Sequence, residues 1–524
     1  MAKFSNVVIV ILLCLSSITN AVEIEFTDID RQKFADILFN EIERLDASAS
    51  DIRNTTKSVS WKEYREVSTK KIVAADSFKE LAKALDYAQQ GFINSHSSIQ
   101  LYSSLYNSRK LYENVSYQKG LKLGFEYPNI SFFSLKSRKS LTSINGIDLL
   151  KEFNKFKNFK CEYAHDVACL DKFVKWIDYG LIDLNLKMTN VFLSQQGDSW
   201  KETIEPLQYT PQLSQKEDCA DYAMYHSSMH LTHESEHSCI LQKNDLVIFK
   251  LTKFADWGVS YDDIYCNTPA KKDSLCFDIQ TLTKKLEELG SVKLIIDLQG
   301  NSGGAENTPL VAVVARQGFY DNLVKYRNSK EMLEEEFRHF VFYGMNTAKS
   351  WYKNISNKDL SSKYFDARAD FCRGDNLCSY AKILPKKINV DIESLTVVTD
   401  TKCFSSCDDF VWRAKEYGNA YIVGQTPVTD STYVSVTGII YYTPDGNIKT
   451  KIVAPSQSYE LDKRATKIAW FTVPYTITVN RSGRRLDGDA SVISQFVPIT
   501  KQNYESLSVS NVAEAIAHAY QIHH

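Results

Sequence analysis

Residues 401–424, TKCFSSCDDFVWRAKEYGNAYIVG, contain the side chains best suited to chemistry. An apolar strand precedes them. A helix is predicted to begin at Ser405 or Ser406, because Asp408 follows Ser405 at the spacing of a capping box. A serine at such a junction exposes its hydroxyl beside free backbone N–H groups, which can stabilise an oxyanion. On this stretch alone the simpler interpretation is a serine that only caps the helix, and a nucleophilic serine is the alternative.

A second stretch, residues 294–306 with the sequence LIIDLQGNSGGAE, is an apolar strand that runs into a glycine-rich turn. Together the two stretches resemble the S41 family of serine peptidases, the C-terminal-processing and tricorn-like proteases. The first family motif is matched at Asp297, Asn301, Gly303 and Gly304. The nucleophile motif is matched at Ser405, Asp408, Tyr417, Gly418, Ala420, Val423 and Gly424. Gln299 stands where the family usually has arginine.

The resemblance implies an α/β fold: a ClpP/crotonase-like core with an N-terminal helical domain and a PDZ-like α+β module. It also implies a serine-type peptidase in which Ser405 is the nucleophile and the N–H of Ser406 helps to bind the oxyanion. The other oxyanion donor would be Gly303 or Gly304, because glycine lets the backbone approach a reacting group closely. No cofactor is implied, and the expected partner is a peptide or protein substrate.

A serine hydroxyl needs a general base, and the family has two solutions. In the Ser/Lys dyad a lysine lies in the strand beyond the Val-Gly pair, but this chain has Asp430 there and no lysine between Lys415 and Lys449. In the tricorn-like solution the base is a histidine from the N-terminal part, preceded by a serine. Ser95-His96 matches that pattern, so His96 is the predicted base and Ser95 an alternate site residue.

The supporting acid is predicted from the same resemblance. In the tricorn-like proteases it lies in a glycine-rich turn before the last core strand, which corresponds here to residues 483–499. Asp487 is the first choice and Asp489 the alternate. Glu416, at the position of the dyad-type acid, is a third candidate. Such an acid would orient His96 and stabilise its protonated form.

The composition limits the function classes and the compartment. The 524 residues carry a formal charge of −2 without a basic run, which argues against a nucleic-acid partner. Residues 1–21 combine an early lysine, a short apolar core and small residues before the cleavage point, which predicts a signal peptide too short to span a membrane. No later segment reaches membrane length. We therefore expect a secreted or periplasmic protein with no membrane span after signal removal, and the oligomeric state is not predicted.

Eleven cysteines are present, and Cys14 would leave with the signal peptide. The others stand as close neighbours, and an even number in an exported chain predicts disulfides rather than the alternative, free buried thiols. The simplest connectivity pairs Cys161 with Cys169, Cys219 with Cys239, Cys266 with Cys276, Cys372 with Cys378, and Cys403 with Cys407. No CxxC pair is present, so a zinc ribbon is not expected.

Hydrophobic periodicity and turn residues divide the rest of the chain. An amphipathic helix is predicted at residues 77–90, and a strand is expected to turn at Asn145-Gly146 into a helix. The predicted units are a mainly helical domain at 22–118, a PDZ-like or unrelated α+β module at 119–215, a histidine-rich insert at 216–244, the peptidase-like core at 245–500 and a C-terminal helix at 501–524.

The histidine-rich insert contains His226, His230, His233 and His237, whose spacing predicts one helix face with four imidazoles. A polar surface helix or a disulfide-bounded loop is the alternative. A helix rises about 1.5 Å per residue, so four ligands along it cannot meet at one ion. We therefore assign no metal.

Two functions are compatible with these features. The first is an exported serine endopeptidase that cleaves peptides or unfolded proteins through a Ser-His-acid site. The alternative is a catalytically inactive S41-like protein that binds peptides or small apolar ligands, as Asp430 and Gln299 in place of the family residues would allow. The positions of Ser405, His96 and an acid relative to one another distinguish the two.

Overall fold

The computed structural model describes the chain in segments: 27–47, 49–111, 117–118, 121–182, 184, 186, 190–195, 198–203, 207–208, 219–226, 228–320, 324–334, 336–337, 341, 363–365, 382–428, 434–480, 482–486 and 489–521. The predicted signal peptide, Cys372, Cys378, Asp430 and Asp487 lie outside these segments. Within them, no helix is both long and apolar enough to cross a membrane.

The described chain begins with helices packed through an apolar stripe. They are α1 Asp28–Leu45, α2 Ala49–Thr56, α3 Trp61–Val73 and α4 Phe78–Gln89. Thr27 and Ser60 form capping boxes at the starts of α1 and α3, and Ser77 caps α4. These caps satisfy N–H groups that have no acceptor within the helix. The helix predicted at residues 77–90 is confirmed.

An α+β unit follows. Its strands are β2 Tyr117–Gln118, β3 Leu123–Glu126, β4 Ser131–Ser134, β5 Ser140–Leu141, β6 Ser143–Ile144, β7 Ile147–Asp148, β8 Asn190–Gln195, β9 Asp198–Thr203 and β10 Leu207–Gln208. Its helices are α5 Leu149–Phe159 and α6 Asp166–Asp178. Asn145 and Gly146 both have positive φ, 49° and 79°, and they turn β6 back into β7 directly before α5. The strand-turn-helix prediction is thus confirmed, and the PDZ-like identity of the unit stays a prediction.

The central sheet has the strand order β11-β12-β13-β14-β19-β20-β25, and pairing is parallel from β13 onward. The strands are β11 His230–Glu234, β12 Ser238–Lys243, β13 Leu246–Leu251, β14 Ser291–Asp297, β19 Asp391–Thr399, β20 Tyr421–Gly424 and β25 Gln495–Phe496. The candidate site lies at the carboxyl ends of β14 and β19, where the glycine turn and the Ser405 turn both begin.

Helices cover both faces of this sheet. On β14, Leu294 and Ile296 belong to the buried cluster of α8 Leu275–Leu289, α9 Thr308–Val314 and α10 Ser406–Gly418. The intervening Ile295 belongs to the cluster of α7 Cys219–Tyr225 and α11 Leu507–Gln521. This alternation follows from the period of two along a strand. A largely parallel sheet buried between two helical layers is an α/β arrangement.

A second sheet joins the N-terminal helices to the C-terminal half of the chain. Its order is β1-β23-β21-β22, with β1 Ser98–Leu101, β21 Ser435–Tyr442, β22 Ile448–Val453 and β23 Thr466–Pro474. Ser98 pairs with Thr472, and Thr472 pairs on its other side with Thr437. The described part of residues 22–118 therefore shares one sheet and one hydrophobic cluster with the peptidase-like core.

Smaller pairings complete the described strands. β15 Phe319–Tyr320 pairs with β18 Lys382–Ile383. β16 Val324–Arg327 lies between β17 Tyr364–Phe365 and β24 Thr476–Thr478.

The predicted helix across the histidine-rich insert is wrong. α7 ends at Tyr225, before the first of the four histidines. His230 and His233 lie on β11, which pairs antiparallel with β12, and His237 directly precedes β12. Pairing with the edge of the central sheet satisfies this backbone and overrides the helical spacing. In the part of the chain that the structure describes, no group of three or more His, Cys, Asp or Glu residues could hold a metal ion.

Four of the predicted disulfides are confirmed: Cys161–Cys169, Cys219–Cys239, Cys266–Cys276 and Cys403–Cys407. Each pair has Cα atoms 5.2 to 5.8 Å apart, within the usual range for a bridge. Disulfides persist in oxidising compartments, so these bonds are consistent with an extracellular or periplasmic protein.

Candidate active site

Ser405 occupies the sharp turn between β19 and α10. Its backbone has φ 58° and ψ −130°, a positive φ that non-glycine residues rarely adopt. Such a conformation costs about 1–3 kcal/mol and persists only where the surroundings impose it. The Ser405 side chain makes no capping hydrogen bond to α10. The plain N-cap alternative therefore does not explain why a serine stands here.

A disulfide closes this turn around Ser405. Cys403 and Cys407 are bonded with Cα atoms 5.2 Å apart, and both side chains are fully buried. The Cys407 N–H donates to the Phe404 carbonyl oxygen at 3.2 Å, and the Cys403 carbonyl oxygen accepts from the Val428 N–H at 2.9 Å. The conformation of Ser405 is thus held by covalent and hydrogen bonds on both sides.

The glycine turn after β14 packs directly against Ser405. A Cβ atom on Gly303 would lie 2.7 Å from the Phe404 oxygen and 2.8 Å from the Ser405 Cβ. A Cβ on Gly304 would lie 2.1 Å from the Phe254 oxygen. Both glycines also have positive φ, 86° and 137°. No other residue type allows this approach of the two turns.

The predicted oxyanion donors differ in their existing partners. The Gly303 N–H donates to Asn301 Oδ1 at 2.8 Å, so it is already engaged. Ser406 is the first residue of α10, and the N–H groups of a first turn have no acceptor within the helix. The Ser406 hydroxyl donates to the Gly304 carbonyl oxygen at 3.1 Å. The Ser406 side chain therefore links the Ser405 turn to the glycine turn.

One carboxylate also bridges the two turns. Asp400 accepts hydrogen bonds from the N–H of Gly300 at 3.0 Å and from the N–H of Lys402 at 2.9 Å. Burial raises the pKa of the Asp400 carboxyl, while Lys402 and the two backbone donors oppose that shift. Asp400 thus fixes the glycine turn relative to the Ser405 turn.

His96 lies directly before β1, half-buried, and its N–H donates to Asn94 Oδ1 at 2.7 Å. Ser95 is exposed beside it. The register of β1 and β23 places His96 at the end of the second sheet where β21 begins. Val428 donates its N–H to the Cys403 carbonyl oxygen beside Ser405. His96 thus lies just before the edge strand of the second sheet, whereas Ser405 lies after β19 of the central sheet.

Of the three candidate acids, the structure describes Asp489 and Glu416. Asp487 lies outside the described residues. Asp489 caps a short turn through the Ser491 N–H at 2.9 Å and pairs with Arg484. Glu416 follows Ser405 by eleven residues on the same helix, a distance of about 16 Å along the axis. The structure therefore does not bring Glu416 to the hydroxyl of Ser405.

Comparison with known protein families matches one region of the chain. Residues 277–457 match the family model described as Peptidase family S41. The chain contains an S41 peptidase region. The predicted resemblance is confirmed, and it supports a peptidase activity. The matched residues include the glycine turn and Ser405, whereas His96, Asp487 and Asp489 lie outside them. No curated protein matches the chain.

Solved structures give the fold of the chain around the S41 region. Mature CPAF complexed with lactacystin is 11% identical, with 93% of this chain and 97% of that chain covered at a TM-score of 0.54. A second structure of mature CPAF is 12% identical, with 93% and 96% covered at a TM-score of 0.51. At these identities the likeness concerns the fold alone.

A buried polar cluster beside α10, the helix after Ser405, was not predicted from the sequence. Asn307 donates to the Ser406 carbonyl oxygen and to Asp409 Oδ2, both at 2.8 Å. Arg413 donates to Asn307 Oδ1 at 2.6 Å. All four residues are buried. The only signal in the sequence was the spacing of Asp409 and Arg413, which is that of an ion pair on one helix.

Gln299, which replaces the family arginine, belongs to a second missed cluster. Asn511 on α11 donates its side-chain amide to Gln299 Oε1 and Gln425 Oε1, each at 2.8 Å. Gln299 Nε2 donates to the Ser508 carbonyl oxygen at 3.1 Å. The Gln299 side chain thus points to the C-terminal helix. The residue that replaces the usual arginine of the S41 motif therefore attaches α11 to the end of β14.

The carboxylate of Asp297, a residue of the S41 motif, contacts three groups. Its Oδ2 atom accepts from the Tyr222 hydroxyl at 2.7 Å and lies 3.3 Å from Lys250 Nζ. Its Oδ1 atom accepts from the Gln299 N–H at 3.0 Å. Asp297 and Lys250 are almost completely buried. A buried charge pair that lost one partner would be strongly destabilised, so this pair fixes the base of the glycine turn.

Proposed function

We propose that this chain is an exported serine endopeptidase that cleaves peptides or unfolded proteins, with Ser405 as nucleophile, His96 as general base and Asp487 as the supporting acid. One observation carries the proposal. A serine in a strained conformation, held by a disulfide, directly contacts a glycine turn at the carboxyl ends of two parallel strands. The S41 family match makes peptide hydrolysis the chemistry to test first.

In the proposed reaction, Ser405 Oγ attacks the carbonyl carbon of the scissile peptide while His96 accepts the hydroxyl proton. The carbonyl oxygen becomes an oxyanion. Since the Gly303 N–H is engaged by Asn301, we assign its donors to the N–H groups of Gly304 and Ser406. His96 then returns the proton to the leaving amine, which leaves an acyl-serine. A water molecule, deprotonated by His96, hydrolyses the ester and restores Ser405.

Supporting observations come from both sequence and fold. Asp430 stands where proteases with the Ser/Lys dyad have their lysine. β1, which follows His96, belongs to the same sheet as β21, the first strand of that sheet after Ser405 in the chain. The four disulfides fit an oxidising compartment.

A fluorophosphonate probe tests the proposal, because it forms a covalent bond only with an activated serine. The folded protein should be labelled, and peptide mapping should locate the label on Ser405. Heat-denatured protein is the control and should not react. A label on Ser406 would show that Ser406, and not Ser405, is the nucleophile. No labelling of protein that binds peptides would instead establish the inactive relative.

A further inference from the structure

A cavity of about 970 Å³ lies between the N-terminal helices and the α+β unit, away from Ser405. Its apolar lining includes Tyr87 on α4, Phe156 and Phe159 on α5, and Ile182. Ligand sites are typically concave, largely apolar and roughly 300–1,000 Å³ in volume, with a few polar groups that fix orientation. This cavity has that size and lining.

Four lysines line the same cavity, and two of them are already paired. Lys83 lies 2.7 Å from Glu80, and Lys155 lies 3.7 Å from Glu152. Asp76, the third lining acid, is exposed on the rim. The positive charge available to a ligand therefore comes from the remaining two lysines.

Those two lysines are Lys71 and Lys160, and neither has an ion-pair partner among the residues that the structure describes. Lys71 Nζ lies 4.7 Å above the centre of the Tyr87 ring. Burial, with Lys155 and Lys71 nearby, lowers the pKa of Lys160, while Glu152 and Asp86 oppose this shift. An anion bound beside Lys71 and Lys160 would further stabilise the charged form of Lys160.

We propose that this cavity binds an apolar carboxylate, a small organic acid whose hydrophobic body covers Tyr87, Phe156 and Phe159 while its carboxylate contacts Lys71 and Lys160. A neutral ligand of the same shape would leave both ammonium groups without an anion. A cationic ligand would be repelled by them. The acid group therefore sets the orientation, and the apolar body supplies most of the buried area.

The floor of the cavity is preformed. The Tyr87 ring stacks on the buried Tyr64 ring at 5.3 Å between centres and an interplanar angle of 3°. The Tyr64 hydroxyl also donates to the Phe159 carbonyl oxygen at 3.2 Å, and the Arg53 guanidinium lies 4.0 Å from the Tyr64 ring centre. These contacts join α3, α4 and α5. A ligand would lose little free energy to ordering the site.

Isothermal titration of the full chain with 2-naphthoate and with laurate tests the proposal and separates an aromatic from an aliphatic body. At least one acid should bind saturably at a single site. The matched alcohols, 2-naphthalenemethanol and dodecanol, should bind at least about ten-fold more weakly, because a hydrogen bond to a charged group is lost. Affinity should also fall with added salt, since Lys71 is exposed and Lys160 is only half-buried.

Variants locate the site. Lys160→Ala should weaken binding of the acid by about ten-fold or more, and Ala74→Trp should place an indole against the cavity lining and weaken binding by a similar factor. Lys79→Ala, an exposed lysine on α4 outside the cavity, is the control and should bind as the parent chain does. The proposal fails if neither acid binds, if the alcohols bind equally, or if Ala74→Trp, folded by circular dichroism, binds like Lys79→Ala.

Discussion

The hydroxyl of Ser406 donates a hydrogen bond of 3.1 Å to the carbonyl oxygen of Gly304. This bond joins the first residue of α10 to the glycine turn that packs against Ser405. Two neighbouring serines therefore have different surroundings. The Ser406 side chain holds the two turns together, and the strained Ser405 makes no capping bond to the helix.

Substitution of the two serines should separate these roles. Ser405→Ala should lower casein hydrolysis by about 10⁴-fold or more, because the nucleophile is lost. Ser406→Ala removes one hydrogen bond and should cost about 1 kcal/mol of stability, with most of the activity retained. Initial rates and urea unfolding of both variants are the measurements. A reversal of the two activities would assign the chemistry to Ser406.

Gly303→Ala should disturb the site through a direct clash. The added Cβ would lie 2.7 Å from the Phe404 oxygen and 2.8 Å from the Ser405 Cβ. A displacement of about 1 Å at a reacting group can cost roughly 100-fold in rate. Gly300→Ala is the matched control, since Gly300 has a similar φ of 79° with nothing within 4 Å of a built Cβ. Comparable rate losses in both variants would point to backbone strain instead of contact with Ser405.

Loss of the Cys403–Cys407 bond should affect activity more than stability. The bond closes a loop of only a few residues, so it contributes about 2 kcal/mol at most through the unfolded chain. The double variant Cys403→Ser, Cys407→Ser should fold but lose most of its hydrolysis of casein, because Ser405 is no longer held in its strained conformation. The control is Cys266→Ser, Cys276→Ser, a bridge at the start of α8. Unchanged activity in the first variant would show that the disulfide does not position Ser405.

His165 should make the fold sensitive to mild acid. Burial and the nearby Lys57 lower its pKa to about 4, and Asp166 and Asp489 oppose this shift more weakly. Its Nε2 atom has no hydrogen-bond partner within the described residues. Between the ordinary pKa of about 6.5 and pH 4, the unfolded chain binds a proton that the folded chain does not. Stability should therefore fall as the pH is lowered through this window, by roughly 2 kcal/mol.

Urea unfolding at pH 7 and pH 4.5 measures this effect. His165→Gln should reduce the difference between the two values, because no imidazole remains to be protonated. His230→Gln, an exposed histidine on β11, is the control and should behave as the parent chain does. An unchanged difference in His165→Gln would assign the acid sensitivity to other groups.

Much of the site was predictable because its signals are local. The Ser405 turn, the glycine turn and the helix that follows Ser405 each depend on a few adjacent residues. The same holds for Cys403–Cys407, whose partners are four residues apart. The turn at Asn145-Gly146 is local as well, since both residues tolerate positive φ.

Features that depend on distant pairing were not predictable. The helical spacing of His226, His230, His233 and His237 was real, but pairing of β11 with β12 decided the backbone. Gln299 could be recognised only as a departure from a motif, because its partner Asn511 lies on the last helix. The residues that neighbour a side chain in sequence do not indicate which distant residue it will contact.

The sequence by itself determined the S41 resemblance, the two turns that carry its motifs and four nearest-neighbour disulfides, since short-range backbone preferences and motif spacing encode them. Only the tertiary structure decided that Ser98 pairs with Thr472, which attaches the strand after His96 to a sheet of the C-terminal half. It also decided that the Gly303 N–H is taken by Asn301. The physical reason is that backbone pairing and burial between remote segments depend on the whole folded chain, and no local pattern specifies them.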